Sequence, residues 1–430
     1  MNGRVVWLDL NGADAVARLK RMDGPVAIRL GDLDPRQLER VEQLAKRYRV
    51  DVEYEGKGVD LRPLEALAHI SGLRLRVTST SWAYKLPDLR GFDRLTRVVA
   101  WVRNDEDLLD RLPRTLEELE LKMWISTQAV TALRGFVQLR RLRLRNVHGE
   151  FDVASLEPLQ QLEELRLGPD VDDEQFAGIV KFPRLRVLEV DSTELTGKAL
   201  VHLLPLAELG ELSLATRRLD DTDMLQLGQL TSLRSLKVRA RISNQGVSAL
   251  QRLRHLAEFS TWFSGIDDGV LPLLRAFPAL RSLDLSGAKI TDAGAADLAK
   301  LTQLESLSLF GNHVSRHTLE QLAPLAELRE LNVSSTRIDD TDLALLAPFS
   351  ELRTLVVKHP SAIAIRYAAQ LPRLQALVSE FGTNDAPHFE PLKSHPRFVH
   401  LSSIIGDLPC AELRQSLGLP QCVEHEFRRR

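Results

Sequence analysis

"LRSLDLSGAKITDAGAADLAKL", residues 280–301, is followed after two residues by "LESLSLFGNHVSRHTLEQLAPL", residues 304–325, and the two stretches share one pattern. Each opens on Leu-x-x-Leu-x-Leu. The last two leucines alternate with period two, which points both to one face of a short strand and the residues between them to the other. An apolar anchor follows, Ile290 in the first stretch. Leu298 and Leu301 then recur at the spacing of a short helix, with Thr291 placed where an N-cap oxygen is needed.

Working outward, the same opening recurs at Leu116, Leu139, Leu162, Leu185, Leu209, Leu233, Leu256, Leu280, Leu304, Leu328, Leu352 and Leu374, spaced by 22 to 24 residues. A fixed period in this range marks a repeat array. No copy can bury its leucines alone, whereas stacked copies share one continuous core, with strands on one side and helices on the other. Asp172, Asp220, Asp267 and Asp339 directly follow the anchors of their copies, as Thr291 does. Capping and the helix dipole therefore account for the carboxylates of "DDTD" and "VDDEQ".

These residues resemble the leucine-rich-repeat family, in the bacterial variety of about 24 residues with an Ile-Thr-Asp-x-Gly turn, which "ITDAGAADLAKL" carries most fully. The resemblance spans Leu116 to about residue 379. It implies an α/β leucine-rich-repeat solenoid, curved, with a parallel sheet on its concave face and short helices on its convex face. One family feature is mostly missing. The Asn whose side chain bonds neighbouring turns stands at Asn312, and its place is taken by Thr193, Ser264, Ala288 and Thr336 in other copies.

The regular repeats are expected over 111–380, with degenerate N-terminal repeats or a cap over 1–110 and a C-terminal cap and basic tail over 381–430. Within the first segment Leu8, Ile28, Val52, Leu75 and Val98 read as inward strand residues, and "DPRQLERVEQLAKRYR" has helical periodicity. A separate small α/β domain is the alternative for this stretch.

A chain of 430 residues exceeds the size at which one compact core stops growing, as a repeat array allows. The formal net charge of -2 gives no general attraction to nucleic acid or anionic lipid. Lysines number 12 against 45 arginines, a coding bias of GC-rich genomes that hints at a bacterial source. Cys410 and Cys422 are too few for a disulfide framework, no apolar run is long enough to span a membrane, and no signal peptide is evident. The expectation is a cytoplasmic monomer, with a secreted effector as the alternative.

No catalytic motif is found, and no catalytic residue, cofactor or metal site is expected. "STELTGKA" at 192–199 lacks the first glycine of a phosphate loop and has Ala199 where a Mg²⁺ ligand would stand. Cys410, Cys422 and His425, with His395 and His400 upstream, lack the paired spacing of a zinc site. "NVS" at Asn332 lies within a strand and reads as an accidental glycosylation motif.

What remains is the outward-facing set on the strands: Arg74, Arg76, Trp101, Arg103, Arg141, Arg143, Arg145, Arg166, Lys237, Arg239, Trp262 and Phe310, with Glu118, Glu120, Glu164, Glu189, Glu258 and Asp284 among them. Aromatics beside arginine are favoured at interface centres. The candidate partner-binding residues are Arg141, Arg143, Arg145, Lys237, Arg239, Trp262 and Phe310. The functional expectation is a non-enzymatic scaffold binding a protein partner on the concave face, as an immunity protein, an inhibitor or an effector would. One alternative is an enzyme or enzyme regulator with its site in the irregular N-terminal region. Another is nucleic-acid binding through the arginine strip, which the neighbouring acids disfavour.

Overall fold

The computed structural model describes residues 6–8, 26–30, 33–57, 60–77, 85–101, 105–147, 151–169, 171–379, 390–393, 395, 397–398 and 400–403. Cys410, Cys422, His425 and Arg103 lie outside them, as do the side chains of Leu8 and His400. The chain forms two compact units, Met1–Leu209 and Gly210–Arg430.

The first unit carries strands β1 (Val6–Leu8), β2 (Val26–Leu30), β3 (Val50–Gly56), β4 (Gly72–Val77), β5 (Arg97–Trp101), β6 (Glu118–Ile125), β7 (Arg141–Val147), β8 (Glu164–Leu167) and β9 (Val187–Asp191). Each pairs with the next in parallel. The second unit carries β10 (Glu211–Ala215), β11 (Ser235–Arg239), β12 (Glu258–Thr261), β13 (Ser282–Asp284), β14 (Ser306–Ser308), β15 (Glu330–Asn332), β16 (Thr354–Val356), β17 (Ala376–Ser379) and β18 (His400–Ser403), again parallel throughout. A short helix or 3₁₀ turn follows nearly every strand and packs against that of the next coil, which is the architecture of a leucine-rich-repeat solenoid.

The motif leucines fix the register. In the second unit Leu212, Leu236, Phe259, Leu283, Leu307, Leu331, Leu355 and Leu377 stand side by side across the sheet. Leu283 and Leu307 are each 1% exposed. In the first unit the corresponding row is Ile28, Val52, Leu73, Val98, Leu119, Leu142, Leu165 and Leu188. Leu75 is buried as an inward residue and pairs with Tyr54 and Ala100, while Leu73, also inward, neighbours Val52. "GLRLR" offers two inward leucines, and spacing alone does not choose between them. The helical reading of the first segment corresponds to Pro35–Ala45, capped by the Asp34 carboxylate on Arg36 N at 3.2 Å with Pro35 at the first turn.

The aspartates at the helix starts divide the labour. Asp172 caps its own helix in a reciprocal box with Gln175, Asp267 accepts from Gly269 N, and Thr291 accepts from Ala293 N. The next acid in the chain reaches forward to the following coil. Asp173 accepts from Thr196, Asp221 from Ser243, Asp268 from Thr291 and Asp292 from Ser315, in each case from both the backbone N–H and the hydroxyl. Asn244 and Asp267 make the equivalent pair through Asn244 Nδ2 and Oδ1, at 2.5 and 3.2 Å.

Asn312 acts as a turn ladder residue. Its Nδ2 donates to Leu285 O at 2.8 Å and Leu309 O at 3.1 Å, and its Oδ1 accepts from Ile290 N at 2.9 Å. In the coil of β9 this work falls to buried Ser192, which donates to Val171 O and accepts from Glu194 N and Leu195 N. The Thr193 hydroxyl, at the position of Asn312, bonds Glu194 instead. The turns are equally long, and what differs is their backbone. Ser192 stands fourth after Leu188, and from Phe259 onward the residue at that same position is left-handed, so that Phe263 (φ 53), Gly287 (φ 65), Gly311 (φ 67), Ser335 (φ 56) and His359 (φ 44) form a column of period 24. Glycine takes this conformation freely, whereas a side chain there costs about 1–2 kcal/mol.

Candidate protein-binding face

On the first unit the outward strand positions form lateral rows of alternating charge. Arg141 donates to Glu118 at 2.8 and 3.2 Å. Arg143 donates to Glu164 at 2.8 and 3.0 Å and lies 3.6 Å from Glu120. Arg166 bridges Glu164 at 2.7 Å and Glu189 at 2.5 Å. Lys122 lies 3.1 Å from Glu120 and 4.0 Å from the centroid of the Trp101 ring. Further back, Arg29 and Arg74 share Glu53, and Arg76 pairs with Glu55.

Glu120 is buried and Arg143 half-buried, so these charges stabilise one another in partly dehydrated surroundings. Burial works against both charged forms of the Arg143–Glu164 pair. It is outweighed by Glu164 and Glu120 around Arg143, whose pKa is raised, and by Arg143 and Arg166 around Glu164, whose pKa is lowered. The run "LRRLRLRN" thus presents three neutralised guanidiniums, Arg141 and Arg143 at outward strand positions and Arg140, paired with Glu163 at 2.9 Å, before the strand. Arg145 is exposed and has no ion pair among the described residues.

The second unit places Lys237, Arg239, Trp262 and Phe310, so the candidate residues divide between the two units. Here the outward positions are mostly small and hydroxylic: Ser213, Lys237, Ser260, Asp284, Ser308 and Asn332 lie in one row. Lys237 pairs with Glu258 at 3.0 Å, and Glu258 also accepts from Ser235 Oγ at 2.7 Å. Asp284 is a hub. Its Oδ2 accepts from Trp262 Nε1 at 2.8 Å and Ser260 Oγ at 3.1 Å, while its Oδ1 accepts from Ser286 N at 3.0 Å and from the Ser286 hydroxyl. Four donors satisfy this carboxylate and fix the half-buried indole.

Arg239 and Trp262 each follow the last pair of the β11–β12 register, Val238 with Thr261, and Arg239 is exposed with no side-chain partner among the described residues. Phe310 sits half-buried in the turn after β14. The strand alternation passes over Phe263, which follows Trp262 and is 70% exposed. Its place in the turn carries no periodicity signal. The available cues are its apolar size beside "SG" and its alignment with Gly287 and Gly311.

In the N-terminal segment a cleft of about 380 Å³ is lined by Arg47, Tyr48, Arg49, His69, Ser71, Arg94 and Thr96. His69 Nδ1 bonds Glu42 there, but Ser71 Oγ turns to Val50 O and Asp51, each at 3.0 Å, leaving the histidine without the serine as a nucleophile. Among the described residues no group of three His, Cys, Asp or Glu side chains could hold a metal ion, and no helix is long and apolar enough to cross a membrane.

A leucine-rich-repeat family model matches residues 278–299, over most of the copy that begins at Leu280. That match agrees with the coil geometry above, which is that of a leucine-rich-repeat solenoid. Two bacterial structures are similar in fold. An internalin (inlF) from Listeria monocytogenes is 23% identical, covering 68% of this chain and 82% of that one with a TM-score of 0.44. The Leptospira interrogans LRR protein LIC12759 is 18% identical, covering 91% and 98% with a TM-score of 0.46. No curated protein matches the chain.

Proposed function

We propose that the chain is a non-enzymatic recognition protein that docks a protein partner on its strand face. The observation that carries this reading is the indole of Trp262, fixed by Asp284, one residue past the Val238–Thr261 strand pair, with the exposed Arg239 guanidinium, which has no side-chain partner among the described residues, one residue past it on the neighbouring strand. Trp and Arg dominate the energetic centres of protein interfaces, and a rigid side chain loses little entropy on binding. Lys237 and Phe310 extend the contact within the second unit, and Arg141, Arg143 and Arg145 are partner-binding residues of the first unit in their own right. A partner's carboxylates would meet Arg145 directly and would compete with Glu118 and Glu164 for the other two arginines. Residues 1–110 and 381–430 serve as degenerate end repeats and caps for the regular array of 111–380. The working form is a cytoplasmic monomer acting as an immunity protein, inhibitor or effector.

The test is affinity capture from the native lysate, comparing wild type with an Arg239→Glu, Trp262→Ala variant that keeps the wild-type circular dichroism. A protein held by the wild type and lost by the variant is the expected result. Equal capture by both would move binding off this face. The arginine strip as a nucleic-acid site would demand affinity falling steeply with salt, and a flat salt response to single-stranded and duplex DNA removes that reading.

A further inference from the structure

We infer that the Trp262–Phe263 turn is a strained recognition anchor for a partner segment that carries a large apolar side chain next to a carboxylate; this rests on the strand-face reading above.

Phe263 occupies the left-handed column in which the next two coils place Gly287 and Gly311. A bulky residue in this region is a genuine outlier, held only when its surroundings over-determine it. They do so here. Phe263 N donates to Ser286 O at 3.0 Å, repeating the bonds Gly287 N to Phe310 O at 2.7 Å and Gly311 N to Ser334 O at 3.1 Å. The ring lies over the α-carbon of Gly287, where an added Cβ would come within 2.5 Å of Phe263 Cδ1. Gly287 is thus required twice, for its own positive φ and as the bed of the ring. The result is a phenyl group fixed in place, 70% exposed, beside an indole fixed by Asp284. Core packing does not explain an exposed ring at a strained position, whereas an apolar contact made outside this chain does.

The charges around the turn select the occupant. On the preceding coil Arg239 and Arg241 are exposed and have no side-chain partner among the described residues. Gly265 N bonds Ile242 O at 2.7 Å, which brings the Arg241 segment against this turn. The neighbouring acids are already engaged, Glu258 by Lys237 and Ser235, and Asp284 by four donors. An incoming carboxylate meets free guanidiniums, while an incoming cation meets only satisfied acids.

The experiment is selection of a displayed random-peptide library on the full chain, followed by affinities of the enriched peptides for wild type, Phe263→Gly and an Arg239→Glu, Arg241→Glu pair. The expected peptides share an aromatic or branched aliphatic residue beside Asp or Glu and bind each variant at least ~10-fold more weakly. Phe263→Gly should melt at or above the wild-type temperature, because glycine relieves the left-handed strain and the ring buries little. Failure to enrich such peptides, enrichment of Lys or Arg in place of the acids, or undiminished binding to Phe263→Gly would each overturn the anchor. Melting several degrees below wild type would make the ring a packing element instead. Peptides indifferent to Phe263 but lost on Trp262→Ala would sink the anchor and leave the strand-face reading standing.

Discussion

The strand faces of the two units rest on equivalent rows of buried leucines and differ in what alternate positions carry. Between β6 and β9 the first unit holds a lattice of Arg–Glu pairs, in which nearly every charge has a partner on the next strand. Between β11 and β15 the second unit holds serines around one carboxylate, two fixed aromatics and cations left unpaired. The difference shows that a period-two strand separates two tasks. Inward residues set register and stability, and outward residues are free to be spent on cohesion in one unit and on exposure in the other. An arginine-rich motif is therefore a weaker sign of a sticky surface than a sparse one, because its neighbours decide how much charge remains available.

The largest expected effect tests the shared part of this comparison. Leu142→Ala in the first unit and Leu307→Ala in the second should each cost about 2–5 kcal/mol in denaturant unfolding, since both side chains are buried between coils. A cost below about 1 kcal/mol in either would break the equivalence of the two rows. Next, Asn312→Ala should cost about 2–3 kcal/mol by orphaning Ile290 N and Leu285 O in a buried turn.

The difference between the faces is sharpened by Arg143→Ala, which leaves buried Glu120 and half-buried Glu164 short of a partner. It should cost about 1–2 kcal/mol and lose part of that effect in high salt, against less than about 1 kcal/mol for Lys237→Ala. Equal costs would mean that the lattice is no more cohesive than a single surface pair.

A pH measurement probes the forward-reaching aspartates. Burial pushes the Asp292 carboxyl up, but hydrogen bonds from Ser315 and Thr318 outweigh it and hold the pKa below its ordinary 3.8. A depressed carboxylate contributes stability above its unfolded pKa and loses it as pH falls through the folded value. The stability gap between wild type and Asp292→Asn should therefore be full at neutral pH and close below the ordinary carboxylate range. A gap that persists unchanged in acid would assign the effect to shape. The smallest effect is expected at Ser264, whose buried hydroxyl has no hydrogen-bond partner among the described residues: Ser264→Ala should change stability by about 0–1 kcal/mol in the stabilising direction. A loss instead would reveal that the hydroxyl is satisfied.

The fold was legible because Leu-x-x-Leu-x-Leu states strand, face and period together, and Leu283 and Leu307 lie where the alternation puts them. The N-terminal strands were legible in outline, with Leu73 and Leu75 both facing inward. Hidden from that reading was anything set by the backbone conformation of a turn. Turns of equal length place the ladder role on Ser192 in one coil and on Asn312, one position later in its copy, in another, and the left-handed column is one that hydropathy does not register. The arginine strip could be read as residues, but its cross-strand partners are 21 to 23 positions away and only the register brings them together. Phe263 escaped because outward alternation ends one residue before it.

The forward-reaching carboxylates bear on how the second unit would come apart. Their rungs run without a break from Asp221 through Asn244 and Asp268 to Ser315; the next position in the series is Arg316 in place of an acid, and the one after it, Asp340, holds Ser361 through its backbone N–H at 3.0 Å. Peeling from the C-terminal side would thus cross one such rung and one gap and then meet consecutive coils that must release two bonds each before yielding. Amide hydrogens between residues 221 and 315 should be among the slowest of the unit to exchange with deuterium. The turn that bears Trp262 and Phe263 sits inside this clasped stretch, so its geometry outlasts the fraying of its surroundings.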